Sequence, residues 1–292
     1  MLMRKIVHFV LLSALLLVFL SACPSRTAST KPEKAEASST PSSGGGQTSL
    51  VNTDSETGEP LNPVDVTPPS SAYIVKSVDT PAYAVGVYVS GGYAYVADRG
   101  SGLQIIDVEP IGSASIVKSV DTPGEAWGVY VSGGYAYVAY GWSGLQIIDV
   151  EPIVSASIVK SVDTPGEARG LYVSGGYAYV ADEYSGLHII DVEPIGSASI
   201  VKTVDTPGDA YGVYVSGGYA YVANGDSGLE IIDVEPPESA SIVKSVDTPS
   251  DARGVYVSGG YAYVADDYSG LKIIDVEPIG SAIIVKSVDT PY

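Results

Sequence analysis

Side chains suited to binding recur at a fixed spacing in an otherwise repetitive sequence. One variable position, 42 residues apart in successive repeats, reads Val85, Trp127, Arg169, Tyr211 and Arg253. The variable residues of a loop that follows it are Tyr140, Trp142, Asp182, Tyr184, Asp226, Asp266 and Tyr268. Tryptophan, tyrosine and arginine are the types enriched at binding hot spots. Apart from Val85, all of these residues are candidates for a ligand-binding surface built from several repeats.

A third variable position contains the only histidine outside the first ten residues. His188 stands where the other repeats have Gln104, Gln146, Glu230 and Lys272. We interpret the position as an exposed strand end and add His188 to the candidate binding residues. A Ser-His-Asp arrangement would need a buried carboxylate to orient the ring, and the changing residue type argues against one.

Little else in the sequence suits catalysis or metal binding. Cys23 is the only cysteine, and no spacing typical of zinc sites or calcium loops occurs. The repeated aspartates, such as Asp107 and Asp121, are interpreted as partners of backbone N–H groups at strand ends and turns. We therefore expect no cofactor and no catalytic residue. A hydrolase or lyase that uses carboxylates of the variable surface is the alternative.

Short β-strands must position these residues. The tetrapeptide VDTP recurs six times at 42-residue intervals, and a period near 40 residues is typical of solenoids and propellers. In the first unit, strand-like runs begin at Gly86 and Tyr93 and join through Ser90-Gly91-Gly92, a tight hairpin turn. Further runs begin at Gly102 and Ser115. Four strands per unit match a propeller blade, whereas β-helix coils are shorter and lack hairpins. The predicted fold is an all-β propeller with five four-stranded blades.

The predicted strands do not occur in equal numbers. The first three occur five times, but the fourth, which first appears as IVKSVDT from Ile74, occurs six times. We expect one extra terminal strand to close the ring by completing a blade from the other end, which would remove exposed edges. The first and last copies are identical, so either one is a candidate for the extra strand. A propeller cut short of a sixth blade is the alternative.

The unit resembles the LVIVD repeat, a β-propeller family of bacterial and archaeal surface proteins. Its motif reads Leu103-Gln104-Ile105-Ile106-Asp107 here, and the family's YAYVAD occupies positions 93–98. Gln104 departs from the second letter of the motif. The resemblance covers positions 72 to 291 and implies the fold and export. It adds little about activity, because the family's biochemical role is mostly undefined.

The strand order predicts that one end of the blades varies. Successive connections of an antiparallel meander alternate between its two ends, so both variable loops share an end. The SGG hairpins and EPIGSAS turns share the other and hardly change. Variable loops on a constant scaffold are typical of binding sites. We expect a non-catalytic binding or adhesion module for a protein or glycan. The alternatives are a structural component of the cell envelope without a discrete ligand, and neutral drift in tolerant loops.

The first 70 residues predict export and a membrane anchor. Residues 1–22 combine a basic start with an apolar run typical of a signal peptide. Leu20-Ser21-Ala22-Cys23 resembles the bacterial lipobox, which implies lipidation of Cys23 and attachment to the outer membrane or cell surface. Residues 23–70, rich in serine, threonine, proline and glycine, are predicted to be a flexible linker. Residues 71–292 form the predicted propeller.

The net charge narrows the partners. The chain carries a formal charge of −19, whereas nucleic-acid binding needs a basic surface. We therefore expect no nucleic-acid partner and interpret the acidity as solubility outside the cell. The expected partners are a membrane, through the lipid on Cys23, and an extracellular or envelope protein or glycan.

Overall fold

The structure, a computed structural model, describes residues 73–290. The predicted signal peptide, the lipidation site Cys23 and the predicted linker lie outside the described residues. Within the described part of the chain, no helix is long and apolar enough to cross a membrane.

Within residues 73–290, twenty β-strands form five antiparallel four-stranded sheets, in each of which the strands pair in chain order. The first sheet contains β1 (Gly86–Ser90), β2 (Tyr93–Ala97), β3 (Leu103–Asp107) and β4 (Ser115–Val120). The second contains β5 (Gly128–Ser132), β6 (Tyr135–Ala139), β7 (Leu145–Asp149) and β8 (Ser157–Val162). The third contains β9 (Ala168–Ser174), β10 (Tyr177–Asp182), β11 (Gly186–Asp191) and β12 (Ser199–Val204).

The last two sheets repeat this pattern. The fourth contains β13 (Gly212–Ser216), β14 (Tyr219–Ala223), β15 (Leu229–Asp233) and β16 (Ser241–Val246). The fifth contains β17 (Ala252–Ser258), β18 (Tyr261–Asp266), β19 (Leu271–Asp275) and β20 (Ile283–Val288). Each sheet is one blade, which confirms the predicted propeller of five four-stranded blades.

Two tight turns close each blade at the same end. In the first blade, the hairpin between β1 and β2 uses Gly91 and Gly92 at φ 58° and 80°, a region that glycine adopts without steric cost. The Val108 N–H donates to the Gly92 carbonyl at 3.0 Å and ties the next connection to this hairpin. That connection contains a short 3-10 helix in each blade: Ile111–Ser113, Ile153–Ser155, Ile195–Ser197, Pro237–Ser239 and Ile279–Ser281. A further 3-10 helix within residues 73–290, Asp267–Ser269, lies between β18 and β19 at the other end.

The apolar core lies between neighbouring blades. In β6, Tyr137 and Val138 are adjacent and therefore point to opposite faces of the sheet, yet both are buried. Tyr137 packs toward the third blade and Val138 toward the first. Because an interior blade is covered on both faces, its strands lack the alternation of a half-exposed sheet.

The first strands of successive blades pack side by side at the inner edge of the arc. A tyrosine at the centre of each strand contacts the next one, with ring centres 4.7 to 5.0 Å apart. These tyrosines are Tyr88, Tyr130, Tyr172, Tyr214 and Tyr256. Glycines allow this approach: a Cβ placed on Gly170 would lie 2.5 Å from the Tyr211 carbonyl oxygen.

The five blades form an open arc, so the expected ring closure is wrong. Val87 on the first blade is 65% exposed, whereas its equivalent Val129 is 8% exposed. On the last blade Tyr256 is 57% exposed, and a Cβ on Gly254 would meet only Ala265 of its own blade. The fifth blade is complete with β20 and needs no strand from the start of the chain.

The first copy of the fourth-strand sequence forms no strand, which corrects the expectation of an extra strand. Residues 73–85 have no regular secondary structure. Val78 packs against the outer part of the first blade. The Thr80 hydroxyl donates to Asp98 at 2.8 Å, and the Ala82 N–H donates to the same carboxylate at 2.9 Å. The segment therefore occupies the place that a preceding blade would fill.

Candidate functional site

The variable loops of neighbouring repeats meet at one end of the blades, which we call the variable face. The Arg99 N–H donates to the Ala126 carbonyl, and the Ala126 N–H donates to the Arg99 carbonyl, both at 3.1 Å. Gly141 and Ala168 form the equivalent pair at 3.1 and 2.9 Å. The SGG hairpins and five of the 3-10 helices lie at the opposite end, the uniform face. The chain connectivity predicts this separation.

A row of arginine and aromatic side chains crosses the variable face. Trp127 lies between two guanidinium groups, with Arg99 Cζ 4.1 Å and Arg169 Cζ 3.8 Å from its ring. Arg253 Cζ lies 4.2 Å from the ring of Tyr211. We call these five residues the arginine–aromatic row. The structure thus brings together the predicted Trp127, Arg169, Tyr211 and Arg253, and adds Arg99.

Carboxylates neutralise the centre of this row. Glu183 accepts a hydrogen bond from Arg169 Nε at 2.6 Å and one from the Tyr211 hydroxyl at 3.2 Å. Arg169 also pairs with Glu167 at 3.1 Å. Burial raises the pKa of Tyr211 to about 12, and the Glu183 carboxylate acts in the same direction. Arg169 therefore binds groups of its own chain, and Glu183, which sequence reasoning missed as a binding partner, joins the two halves of the row.

An exposed aromatic pair lies on loops of the variable face. Trp142 and Tyr184 stack with ring centres 5.6 Å apart and planes inclined by 21°, and they are 67% and 59% exposed. Tyr268 and Asp226 occupy the equivalent loop positions of the last two blades and are also exposed. These four and Arg253 are the predicted residues that are exposed to a ligand. The stacked pair offers a flat apolar surface with polar edges.

The variable face is acidic. The aspartates of its VDTP turns are exposed: Asp121, Asp163, Asp205 and Asp247. Arg99 and Arg253 are each engaged by a carboxylate, Glu125 at 2.7 Å and Asp251 at 2.8 Å. With the three arginines of the row paired, the remaining field is negative and favours neutral or cationic ligands.

Three predicted binding residues are buried instead: Tyr140, Asp182 and Asp266. The prediction is wrong for them because Tyr140 and Asp182 lie beneath the turns that enter their blades, and Asp266 forms an ion pair with the buried Lys272. The Tyr140 hydroxyl forms hydrogen bonds with the backbone of Gly124. Asp182 Oδ2 accepts a hydrogen bond from the Gly166 N–H at 3.2 Å. This variable position therefore supports a turn from inside and is not available to a ligand.

His188 is also fully buried, which corrects its placement at an exposed strand end. Neighbouring blades cover both faces of its strand. Its Nδ1 lies 2.9 Å from Thr203 Oγ1, and its Nε2 lies 3.3 Å from Ser185 Oγ and 3.6 Å from Asp182 Oδ2. Burial lowers the pKa of His188, and the Asp182 carboxylate opposes this shift.

The residues equivalent to His188 are buried in the other blades as well. Gln104 accepts a hydrogen bond from the Ser119 hydroxyl at 2.5 Å and donates one to the Ser101 carbonyl at 2.6 Å. Lys272 lies 3.5 Å from Asp266, a buried ion pair. Polar residues at this position thus join the third strand to the fourth strand and to the preceding loop.

Four equivalent clefts lie on the uniform face, where sequence reasoning predicted no site. They have volumes of 240 to 520 Å³ and lie between neighbouring blades. Tyr93, Tyr95, Glu151 and Pro152 line the cleft between the first two blades. The sequence analysis selected residues that vary between repeats and therefore did not select these clefts, although a tyrosine and a glutamate recur together in each unit. Among residues 73–290, no group of three or more His, Cys, Asp or Glu side chains is arranged to hold a metal ion.

Solved structures similar to this chain share its propeller fold. One is the computationally designed Ika8 protein, at 9% identity and a TM-score of 0.57, with coverage of 74% of this chain and 65% of Ika8. Another is a functionally unknown protein from Desulfotomaculum acetoxidans DSM 771, at 16% identity and a TM-score of 0.63, with coverage of 72% of this chain and 71% of that protein. The β-propeller domain of Myceliophteria thermophila Cps50 (Swd1) matches at 13% identity and a TM-score of 0.58, with coverage of 71% of this chain and 73% of that domain. This chain thus spans just under two thirds of Ika8.

The comparison with curated proteins gives no match. The profile of the LVIVD repeat matches five consecutive segments: residues 81–122, 123–164, 165–206, 207–248 and 249–290. Each segment begins in the link before a blade and ends just after the fourth strand of that blade. The chain therefore belongs to the LVIVD repeat family.

Proposed function

We propose that this chain is an exported, lipid-anchored module that binds a protein or glycan through its variable face. The repeated propeller suggests a binding or structural module. The observation that carries the proposal of binding is the stacked pair of Trp142 and Tyr184, which is exposed on loops that differ between repeats. Rigid aromatic side chains provide large contact areas at a small cost in conformational entropy.

The charge of the variable face supports a neutral or basic ligand. Its exposed aspartates would repel phosphate, sulfate or uronic acid groups, and its arginines are paired within the chain. The flat apolar faces of neutral sugar rings, or the side chains of a basic polypeptide, fit this surface better.

A non-catalytic role is part of the proposal. His188 is buried and in contact with Thr203 and Asp182, so it does not face the variable surface. The carboxylates nearest the exposed aromatic pair include Glu183, whose oxygens accept hydrogen bonds from Arg169 and Tyr211. These groups support the fold and the row, and they are not arranged around a free nucleophile.

Binding can be tested with the purified full chain on panels of neutral and acidic oligosaccharides and a basic peptide, oligolysine. We expect binding to neutral sugars or oligolysine, and a loss of at least about tenfold in affinity for the double variant Trp142→Ala/Tyr184→Ala, since truncation of a hot spot costs about 2 kcal/mol or more. Tyr73→Ala is the matched control, because Tyr73 is 66% exposed but precedes the first blade.

Equal binding by the double variant and the wild type would refute the role of the aromatic pair. Binding confined to the acidic sugars would refute the charge argument. A carboxylate variant that abolished turnover of a bound polymer would contradict the non-catalytic role.

The clefts of the uniform face favour a second candidate, a structural part of the cell envelope with a fixed partner. Their tyrosine and glutamate recur at every joint between blades, which suits an extended or repetitive partner. If Glu151→Gln and Glu193→Gln released an envelope partner that Trp142→Ala/Tyr184→Ala retained, this candidate would replace the first.

The anchor is tested separately. We expect Cys23→Ser to move the chain from the membrane fraction to the soluble fraction, and mass spectrometry to find acyl groups on the wild type alone. A Cys23→Ser protein that stayed in the membrane fraction with unchanged processing would contradict lipidation.

A further inference from the structure

The arc ends in two open apolar faces. The head face lies on the first blade, where Val87 and Val89 are 65% and 64% exposed. The tail face lies on the fifth blade, where Tyr256 is 57% exposed, Ala265 is exposed and Ile273 is half-buried. Large exposed apolar surfaces on soluble domains mark interaction sites.

The interior of the chain shows what covers each of these faces. At every joint, the face equivalent to the tail face of one blade packs on the face equivalent to the head face of the next. Ile231, the equivalent of Ile273, is fully buried in this way, and Val257, the equivalent of Val89, is 9% exposed. The two open faces are therefore the two halves of an interface that the chain already contains four times.

The residue types at the open faces are those of the interior joints. Tyr256, Ala265 and Ile273 have the same types as their equivalents in the four preceding blades. Val87 and Val89 have the same types as their equivalents in the four following blades, except that Leu171 is the equivalent of Val87 in the third blade. Gly254 is informative, because a Cβ there would meet only Ala265 within its own chain. Its equivalent Gly212 lies against the carbonyl oxygen of the next blade, 3.0 Å from a Cβ. The last blade thus keeps the glycine that a following blade would require.

We propose that the tail face of one copy of this chain binds the head face of a second copy, so that the chains assemble head to tail. The interface is heterologous, since different surfaces meet, and such contacts build rings or open filaments. Docking continues the inner row of tyrosines from Tyr256 of one copy to Tyr88 of the next. This assembly is independent of ligand binding at the variable face.

The segment before the first blade acts as an internal substitute for the neighbour. Residues 74–80 and 284–290 both read IVKSVDT. Val78 covers the outer part of the head face, and Thr80 donates to Asp98. In the assembly, the segment 284–290 of the copy that contributes the tail face takes this place, and its Thr290 replaces Thr80 as the donor to Asp98 of the other copy.

The assembly is tested by native mass spectrometry of the full chain released from detergent. We expect wild-type oligomers whose population rises with protein concentration. Val87→Asp blocks the head face and Tyr256→Asp blocks the tail face; each places a charge in an apolar interface and should weaken association by about a hundredfold or more. Both residues are exposed in the single chain, so folding is retained, as circular dichroism will verify. Val154→Asp is the control, because Val154 is 78% exposed on the uniform face and should assemble as the wild type does.

Mixing the two blocked variants tests the head-to-tail geometry. Each keeps one intact face, so an equal mixture should form heterodimers and nothing larger, although neither variant assembles alone. Thr80→Ala should strengthen association severalfold, because it weakens only the internal substitute. A monomeric wild type at all concentrations would overturn the proposal, as would a mixture that stays monomeric. Unchanged association of Thr80→Ala would overturn the exchange of segments.

Discussion

Glu230 is a buried acid in a position where the first two blades have glutamine, and its replacement should stabilise the protein. It is 1% exposed and accepts one hydrogen bond, from the Ser245 hydroxyl at 2.5 Å. Burial raises its pKa, and the Ser245 hydrogen bond opposes this shift. The folded state therefore favours the protonated form of Glu230, and the charged form destabilises the fold at neutral pH.

The size of the gain follows from the first two blades. Gln146 accepts from the Ser161 hydroxyl at 2.6 Å and also donates to the Ser143 carbonyl at 3.3 Å. Glu230→Gln keeps the first kind of hydrogen bond and adds the second, to the Ser227 carbonyl, for about 1 kcal/mol. Removal of the buried charge adds about 1.4 kcal/mol for each unit by which the pKa is raised. We expect a total of more than about 1 kcal/mol at pH 7, since removal of the charge adds to the gain from the hydrogen bond.

The gain from Glu230→Gln should depend on pH. A group with a raised pKa contributes its full stability below the pKa of the unfolded chain, about 4.3 for glutamate, and loses it as the pH rises through the folded pKa. Protonated Glu230 also resembles glutamine, because its O–H can donate to the same carbonyl. The advantage of Glu230→Gln should therefore be near zero at about pH 4 and grow toward pH 7.

Denaturant unfolding of the full chain, followed by circular dichroism across this pH range, measures the difference. Gln146→Glu is the matched control and should destabilise the second blade with the same pH dependence and the opposite sign. A gain for Glu230→Gln that is equal at pH 4 and pH 7 would refute the charge argument, and no gain at either pH would refute the burial argument as well.

Three further predictions concern stability. His188, whose pKa burial lowers, is favoured neutral in the fold; the wild type should lose stability as pH falls below about 6.5, and thermal unfolding of His188→Gln should show a weaker loss. Tyr140→Phe removes the hydrogen bonds between a buried hydroxyl and the backbone of Gly124 and should cost about 1 kcal/mol in denaturant unfolding, whereas Tyr184→Phe should cost nothing measurable. Gly170→Ala forces a Cβ to 2.5 Å from a backbone oxygen and should lower the melting temperature by several degrees, unlike Gly112→Ala, which meets open space.

The strands and turns of each blade could be predicted because their signals are local. Ser90-Gly91-Gly92 between two β-branched runs specifies a hairpin, and the structure places β1 and β2 on either side of it. The separation of the variable face from the uniform face could also be predicted from the strand order, because it depends only on the alternation of connections in a meander.

Ring closure could not be predicted, because it depends on the angle between blades. That angle arises from how side chains such as Tyr137 and Val138 fill the joints, and it accumulates over five blades. No single residue of the repeat specifies the accumulated angle. The six occurrences of the fourth-strand sequence suggested closure, whereas the first of them forms no strand and covers part of the head face.

The burial of polar variable residues was the other failure of the sequence interpretation. Asp182 and His188 were interpreted as ligand contacts because polar residues in loops are usually exposed. Each instead meets a polar partner supplied by the chain, Gly166 for Asp182 and Thr203 for His188. The exposed candidates, Trp142 and Tyr184, lie two residues further along the loop than the buried Tyr140 and Asp182, and no turn covers them.

The open arc also frees the chain from a constraint on copy number. In a closed wheel, the gain or loss of one 42-residue unit would force every remaining joint to a new angle. In the open arc, the geometry of each joint depends only on the two blades that form it. Unequal crossing-over within such a gene would therefore yield shorter or longer arrays whose joints are already complementary. Variation in array length and variation of surface loops could then proceed separately, the first by recombination and the second by point substitution.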